Sequence, residues 1–423
     1  MKMKSARAFL ILITAVIFLI SLQVESLAQN QVNTCIECHL ELDDELLDPA
    51  IKFAEDVHNK EGISCAGCHG GDPTEEDAEL AMSEKNGFRA VPSIREIPQF
   101  CGQCHSDPAY MRKYNPALPT DQLGKYWTSQ HGQKIKQGDK NVAQCISCHS
   151  VHDIRKTSDP RSPVYDLNVP QTCSSCHSDA DYMASYPIAT DQHADYQESV
   201  HGIALLKHKD TGAPACNDCH GNHAATPPGV ASIGRVCYQC HLAEGELFNV
   251  SPHKTAFDDL GEAECSSCHG NHSIRPLTDE QVGVGDESLC ATCHSEDDAG
   301  YEAAKAMKQA LVDLSETYME ARELIDEAER KGVGVSDEQF ALLDVRHSLI
   351  NVRKLVHAFN PDTLISSAER AMEAADEVHQ AGISAVVEVK NRRKGFILFT
   401  LVTIVLMALV IVKIKQIERD KVK

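Results

Sequence analysis

Every cysteine of this 423-residue chain belongs to the same kind of five-residue string. All eighteen cysteines lie in Cys-x-x-Cys-His strings, and none is left over. Numbered one to nine in chain order, the strings occupy residues 35–39, 65–69, 101–105, 145–149, 173–177, 216–220, 237–241, 265–269 and 290–294. Each string brings two thiols and one imidazole close together, so the three groups can act on a single bound group.

A Cys-x-x-Cys-His string is the attachment signature of c-type haem. The thiols bond to the porphyrin edge, and the histidine binds the iron as its proximal ligand. The sequence therefore predicts nine covalent haems on Cys35, Cys38, Cys65, Cys68, Cys101, Cys104, Cys145, Cys148, Cys173, Cys176, Cys216, Cys219, Cys237, Cys240, Cys265, Cys268, Cys290 and Cys293. The predicted proximal ligands are His39, His69, His105, His149, His177, His220, His241, His269 and His294.

Disulfides and zinc sites are the other common uses of paired cysteines. A disulfide framework gives no reason for a histidine after every second cysteine. Zinc knuckles combine Cys-x-x-Cys with histidines, but they are mostly reduced intracellular sites, whereas residues 1–28 of this chain predict export. Nine strings without an exception therefore favour haem attachment over both alternatives.

The remaining histidines are candidates for the second axial ligand of each iron. Two histidines give a six-coordinate iron suited to electron transfer, whereas an open distal position suits substrate chemistry. Seven of these histidines recur at equivalent positions of a degenerate repeat, and we expect them to be distal ligands. They are His58, His131, His201 and His253, which lie between paired strings, and His152, His223 and His272, which follow a proximal histidine by three residues.

The Cys-His-x-x-His spacing limits which iron its second histidine can bind. Three residues are too few to cross to the opposite face of the same haem, so we expect this histidine to bind a neighbouring haem. His193 and His208 have no counterpart in the repeat and remain candidates. His347 and His357 lie on or beside one stripe of a predicted helix that could dock over a haem, whereas His379 is predicted to be on the surface.

The elements that position these groups are predicted to be short. The strings form four pairs plus one, and Gly, Pro, Asp and Asn punctuate the gaps between them. Aromatic residues make up only 5% of the chain, so a conventional apolar core would be thin. We therefore predict a mainly α-helical fold with long loops, in which the haems form the core of residues 29–299 and the apoprotein does not fold.

The segments outside the haem region have different patterns. Residues 1–28 combine a basic start, a short apolar run and a small-residue cleavage site, which predicts a signal peptide. Residues 300–390 lack cysteine and show a heptad rhythm in three segments, which predicts a three-helix bundle or hairpin. Ser336 and Gln339 suggest a capping box, and Asn360 with Pro361 suggests a helix boundary.

Residues 395–414 are predicted to form a transmembrane helix. The run from Phe396 to Val412 is apolar or threonine, and it extends roughly 25 Å at about 1.5 Å per residue. Basic residues flank both ends, so the positive-inside rule does not decide the orientation. The export signal does, because it places the haem domain outside and the tail of residues 415–423 in the cytoplasm.

The chain is acidic, with a formal net charge of −22 before haem propionates are counted. Such a surface repels nucleic acid and anionic lipid headgroups, and it favours redox partners with basic patches. Nucleic-acid binding is therefore not expected.

These strings and their spacing resemble those of bacterial periplasmic multihaem cytochromes c, over roughly residues 35–294. The cytochrome c3, octahaem and quinol-dehydrogenase-linked groups are the nearest. The resemblance implies bis-histidine haems, close stacking and anaerobic respiratory electron transfer. Two features depart from relatives of this kind. The tetrahaem quinol dehydrogenases carry an N-terminal anchor, whereas the predicted anchor of this chain is C-terminal. The pentahaem nitrite reductases carry a lysine in place of one proximal histidine, whereas this chain contains no Cys-x-x-Cys-Lys string.

The sequence favours an electron carrier over an enzyme. We expect a membrane-anchored nonahaem cytochrome on the periplasmic face of the cytoplasmic membrane, transferring electrons between a membrane donor and a periplasmic or outer partner. A quinol-oxidising complex, other cytochromes and a periplasmic reductase are the expected partners, and the helical domain could assemble an oligomer. The alternative is a multihaem oxidoreductase that reduces a small nitrogen or sulfur oxyanion at one five-coordinate haem.

Overall fold

The computed structural model describes residues 33–226, 235–286 and 288–421. The predicted signal peptide, residues 1–28, lies outside these ranges. The described chain consists of helices joined by long loops and contains no strand. The predicted fold class is confirmed.

The described residues form two compact units. The first contains residues 33–226 and 272–274, and the second contains residues 235–271 and the chain from residue 275 onward. This division differs from the predicted boundary between residues 299 and 300. Strings seven to nine belong to the same unit as the long C-terminal helices, and within this unit Arg353 forms an ion pair with Asp279 at 2.7 Å.

The first unit is built from short helices, few of them longer than two turns. They are Thr34–Leu40, Leu47–Phe53, Val57–Lys60, Cys65–His69, Ala78–Ala81, Ile97–His105, Pro108–Met111, Gln122–Thr128, Gln130–Lys136, Cys145–His149, Val169–His177, Ala180–Met183, Gln192–Glu198, Val200–Gly202 and Cys216–His220, with a π-turn at Ile203–Lys207 and 3₁₀ turns at Asp44–Leu46 and Glu84–Asn86. Its one described cluster of buried apolar side chains is small, centred on Val169, Leu205 and Ala215. Side chains alone therefore fill little of the interior.

The second unit combines short helices with three long ones. Its α-helices are Leu242–Asn249, Pro252–Leu260, Ser266–His269, Ala299–Arg330, Ser336–Leu355 and Pro361–Lys421, with 3₁₀ turns at Asp279–Gln281, Cys290–Thr292 and Val356–Ala358. The predicted boundary is present, because the Asn360 side chain accepts a hydrogen bond from the Thr363 amide and Pro361 begins the last helix. The predicted capping box is wrong, because Val335 occupies the N-cap position and no side chain caps this helix.

The three long helices bury one apolar core between them. The buried positions follow the heptad rhythm: Met307, Leu311, Leu314, Ala321, Ile325 and Ala328 on the first helix, Val345, Leu349 and Val352 on the second, and Leu364, Ala368, Ala371, Ala375, Val378 and Ala385 on the third. The fully buried leucine and isoleucine side chains each contribute roughly 1.5–3 kcal/mol. The small residues of the third helix let it approach its neighbours closely.

The last helix differs from the sequence prediction by its continuity. The third bundle helix and the predicted membrane segment form one uninterrupted helix, Pro361–Lys421, of 61 residues. Its apolar C-terminal half packs on nothing in the described chain, and Phe396 and Phe399 are about 70% exposed. By length and composition this helix could span a membrane.

Candidate haem centres

Helical turns place the cysteines and histidine of a string on one face. The helices Cys65–His69, Cys145–His149 and Cys216–His220 coincide with their strings, and the helices Ile97–His105 and Val169–His177 end at the proximal histidine. Residues three and four apart lie on the same side of a helix. The second thiol and the imidazole therefore project on the same side as the first thiol, as one porphyrin requires.

The thiols of consecutive strings lie against each other. Close contact with the Cys145 thiol raises the pKa of Cys101, and close contact with the Cys216 thiol raises the pKa of Cys173, so strings three and four meet, as do strings five and six. The same contact joins strings seven and eight in the second unit, through Cys237 and Cys265. None of these thiols forms a disulfide, because all eighteen cysteines are free.

Seven of the predicted proximal histidines face a second imidazole in the pairs that the structure describes. The ring centres of each pair are 5.7–6.3 Å apart. The pairs are His58–His105, His69–His152, His131–His177, His149–His223, His220–His272, His253–His294 and His269–His357.

The spacing of these rings fits an iron between them. An imidazole nitrogen lies about 2 Å from a bound first-row metal, so two axial nitrogens are about 4 Å apart and their ring centres about 6 Å apart. The Nε2 atoms of His220 and His272 face each other at 3.5 Å. Two neutral rings gain little from meeting in this way, whereas a shared iron would hold both. The residues therefore fit bis-histidine haems.

The structure pairs histidines from different repeat units. Each described pair that contains the second histidine of a Cys-His-x-x-His spacing joins it to the proximal histidine two strings earlier, as His152 faces His69 and His223 faces His149. The described histidines that lie between paired strings instead face the proximal histidine of a later string, as His58 faces His105. No ring contact joins the two histidines of one Cys-His-x-x-His spacing among the described residues.

A backbone hydrogen bond holds both kinds of histidine together at each repeat junction. The Val57 amide donates to the Ile154 carbonyl at 2.7 Å, which joins the neighbours of His58 and His152. Equivalent bonds run from Gln130 to Ala225 at 3.1 Å, and from Val200 to Ile274 at 2.8 Å. We call each of these backbone bonds, together with the two distal-ligand candidates beside it, a repeat junction. His58 and His152 are the two candidates at the first junction.

A capped turn positions His131 in its repeat unit. The Ser129 hydroxyl accepts a hydrogen bond from the Gly132 amide at 3.0 Å and donates to the Tyr126 carbonyl at 2.7 Å. A Cβ on Gly132 would lie 2.1 Å from that carbonyl oxygen, so only glycine fits. The same geometry, formed by Ser199, Gly202 and Tyr196, holds His201 in the next unit. The recurring Ser-x-His-Gly string is therefore a helix cap that carries a histidine.

Polar partners of the other ring nitrogen orient several histidines. The Nδ1 atom of His69 lies 3.1 Å from the Arg89 carbonyl, and that of His294 lies 2.8 Å from an Asp298 oxygen. Carbonyl and carboxylate oxygens only accept hydrogen bonds, so Nδ1 carries the proton and Nε2 keeps a free lone pair. Such partners fix the tautomer of metal-binding histidines.

Asp56 is the most buried of these partners, with 1% of its surface exposed. Its carboxylate accepts hydrogen bonds from His58 Nδ1 at 2.9 Å and from the Ile154 amide at 2.8 Å. Burial raises the pKa of Asp56, but these hydrogen bonds and that of the His58 amide outweigh burial, so its pKa is lowered overall. Asp56 therefore orients His58 and also closes the first repeat junction.

Burial keeps many of the paired imidazoles neutral. It lowers the pKa of His149 to about 4, with His223 and His105 adding to the effect. Burial also lowers the pKa of His131 and His177. The neutral ring is the form that binds a metal, so these sites require no loss of a proton at physiological pH.

His357 is the residue that sequence reasoning did not place among the expected ligands. Its ring is stacked across from His269, with ring planes 14° apart. The signal that could have found it is the order of the strings. The second histidine of a Cys-His-x-x-His spacing faces the proximal histidine two strings earlier. String eight would therefore need such a spacing at a tenth string, and the sequence contains nine strings.

The other histidines have different surroundings. His201 keeps its place in the repeat at the start of the helix Val200–Gly202. His208 and His347 are exposed, His193 is half-buried, and His379 Nε2 lies 3.6 Å from a Glu320 oxygen. The structure therefore gives His193, His208 and His347 no imidazole partner among the described residues.

The comparisons with known proteins agree with this chemistry. A family model described as cytochrome c3 matches residues 57–178, which contain strings two to five. No curated protein and no solved structure matches the chain. Together with the repeated haem-attachment strings, the match supports a multihaem c-type cytochrome with covalently bound haem that transfers electrons.

Proposed function

We propose that this chain is a membrane-anchored nonahaem cytochrome that carries electrons between a membrane donor and a redox partner on the periplasmic side. The observation that carries the proposal is that seven proximal histidines face a second imidazole at the spacing of a shared iron. Iron with two axial histidines changes its geometry little on reduction, which suits electron transfer.

Each repeat junction supplies two distal ligands in this proposal. The first junction gives His152 to string two and His58 to string three. The second gives His223 to string four and His131 to string five. At the third junction His272 serves string six, and His201 is the further candidate ligand at this junction.

The C-terminal unit supplies the last two distal ligands. His357 serves string eight and His253 serves string nine. His357 is followed two residues later by Phe359, whose ring centre lies 3.7 Å from that of His253. This ring contact takes the place of the backbone bond of the earlier junctions, since Pro252 before His253 has no amide hydrogen to donate.

Thiol contacts support two continuous runs of haems. Thioether links lie at the porphyrin edge, so neighbouring thiols imply neighbouring porphyrin edges. In the first unit, electrostatic contacts link string one with two, string two with three and string four with five, and direct thiol contacts link three with four and five with six. In the second unit, strings seven, eight and nine are linked in the same way.

The anchor and the export signal support the location. The last helix carries an apolar segment with no protein partner in the described chain. A signal peptide at residues 1–28 would place the haem-bearing units outside the cytoplasm. We infer that the donor is a quinol-oxidising membrane complex or another cytochrome, and that the acidic surface receives partners with basic patches.

Stopped-flow spectroscopy on the full-length holoprotein in lipid nanodiscs tests the proposal. The haems are reduced chemically and then reoxidised by a soluble ferric chelate. We expect fast reoxidation of the whole low-spin population in the wild type. The variant His223→Ala should slow it by about tenfold, because loss of an axial ligand shifts one potential within the run.

The matched control is His347→Ala, because His347 is exposed and faces no imidazole in the described chain. This variant should reoxidise at the wild-type rate. Haems of the wild type that stay reduced, or equal slowing by both substitutions, would contradict a conducting role.

A further inference from the structure

We propose that the haem at Cys35 and Cys38 keeps its distal position open and binds a small neutral molecule there. The proposal rests on the haem attachment put forward above, and it adds a ligand site that the conducting role does not need. The proposal is based on which strings have a distal histidine opposite their proximal histidine. In the first unit the described histidine pairs serve strings two to six, and no described pair serves string one.

His39 itself is held as a proximal ligand would be. Its Nδ1 atom lies 2.9 Å from the Leu46 carbonyl, which leaves Nε2 for the iron. All 21 histidines of the chain lie in the described ranges. Within those ranges no other imidazole makes a ring contact with His39, in contrast to the seven proximal histidines of the described pairs.

The remaining histidines of the same unit do not fill the position. His193 lies in the helix Gln192–Glu198, and His208 is an exposed residue after the π-turn. Neither makes a ring contact with His39 in the described structure. The first haem thus lies at the end of the run of haems in its unit. No described imidazole of that unit occupies the distal position of its iron, opposite His39.

The charge around this string selects the class of ligand. Residues 37–48 contain six carboxylates and no lysine or arginine, namely Glu37, Glu41, Asp43, Asp44, Glu45 and Asp48. Lys52 pairs with Asp48 at 2.6 Å and neutralises one of them. A site surrounded by negative charge lowers the local concentration of anions. A small neutral donor is therefore favoured over an oxyanion.

Carbon monoxide titration of the reduced full-length holoprotein gives the first test. We expect uptake of one equivalent per nine haems, together with one high-spin iron in the EPR spectrum of the oxidised protein. Intact mass separates the two proposals. Fewer than nine haem increments would overturn the haem count, whereas nine increments without carbon monoxide uptake would overturn only the open position.

A double variant, Cys35→Ser with Cys38→Ser, locates the site. Its mass should show eight haem increments, and carbon monoxide uptake should be lost. The matched variant, Cys290→Ser with Cys293→Ser, also carries eight haems but should keep one equivalent. Should the first variant fail to mature, His39→Met retains both thiols and should shift the absorption band of the carbon monoxide adduct. Uptake that survives removal of the first haem would overturn the assignment.

Azide binding to the oxidised protein tests the ligand class. Raising the ionic strength from about 10 mM to about 150 mM shortens the Debye length from about 30 Å to about 8 Å. Azide affinity should therefore rise by at least about threefold, while the affinity of the reduced protein for carbon monoxide should not change. The variant E41Q/D43N/E45Q should strengthen azide binding at low salt. Azide affinity that falls as salt is added would overturn the preference for neutral ligands.

Discussion

His357 stands across from His269, with ring centres 6.0 Å apart and ring planes nearly parallel. Its Nδ1 atom lies 3.0 Å from the Lys354 carbonyl, so Nε2 is left for the iron. The helix before it is anchored by Val345, Leu349 and Val352 in the bundle core. Packing of the bundle therefore sets the position of a candidate haem ligand.

Replacing His357 with alanine is expected to open the eighth iron. High-spin signal should appear in the EPR spectrum, and carbon monoxide uptake by the reduced protein should rise by one equivalent. The potential of that haem should also shift, because axial ligands set haem potentials. His347→Ala, in the helix that precedes His357 and exposed, should change neither signal. Equal spectra for both variants would show that His357 is not a ligand.

Asp56 is expected to act as a positioning residue for His58. In Asp56→Ala, the His58 Nδ1 and the Ile154 amide both lose their buried acceptor, so the third iron should become partly high-spin. Asp56→Asn keeps one acceptor oxygen and should lie between wild type and alanine. Redox titration of the holoproteins would measure the change in potential. A fully low-spin Asp56→Ala protein with unchanged potentials would mean that Asp56 has no such role.

Gly132 is expected to tolerate no side chain. A Cβ there would lie 2.1 Å from the Tyr126 carbonyl oxygen, and relief of such overpacking costs about 1–3 kcal/mol. Gly132→Ala should therefore lower the thermal unfolding midpoint and the number of haems per chain. Gly124→Ala is the matched control, because its Cβ would meet nothing within 4 Å and alanine favours the surrounding helix. A midpoint for Gly132→Ala equal to that of the control would contradict the steric argument.

Ending the chain after Lys390 is expected to release a soluble, haem-loaded protein. The bundle positions from Leu364 to Ala385 remain, and the exposed apolar segment from Phe396 onward is removed. Membrane fractionation and the haem spectrum would measure the result. Ending the chain after Asn360 also removes the third bundle helix, so this protein should lose the helical core and the low-spin state of the eighth iron. A Lys390 truncation that stays in the membrane would show that another anchor exists.

The helical patterns of the bundle were readable from the sequence because they depend on local spacing. On the first long helix, the heptad rhythm brings the positions from Met307 to Ala328 into the core, and Tyr318 packs against it. Continuity between the third bundle helix and the apolar segment was not predicted. The sequence analysis assigned residues 300–390 and 395–414 to separate elements, but nothing in the stretch between them ends the helix.

By itself, the sequence determined where haem can be attached. Each attachment string lies within five residues, so its chemistry depends on local helical geometry and on no distant contact. Only the tertiary structure decided which histidines face each other. His58 faces His105, and His357 faces His269, because junction hydrogen bonds such as that from Val57 to Ile154, and the packing of the bundle, bring distant segments together. The repeat marked the candidate ligands in the sequence, but local spacing does not specify which distant histidine each of them faces.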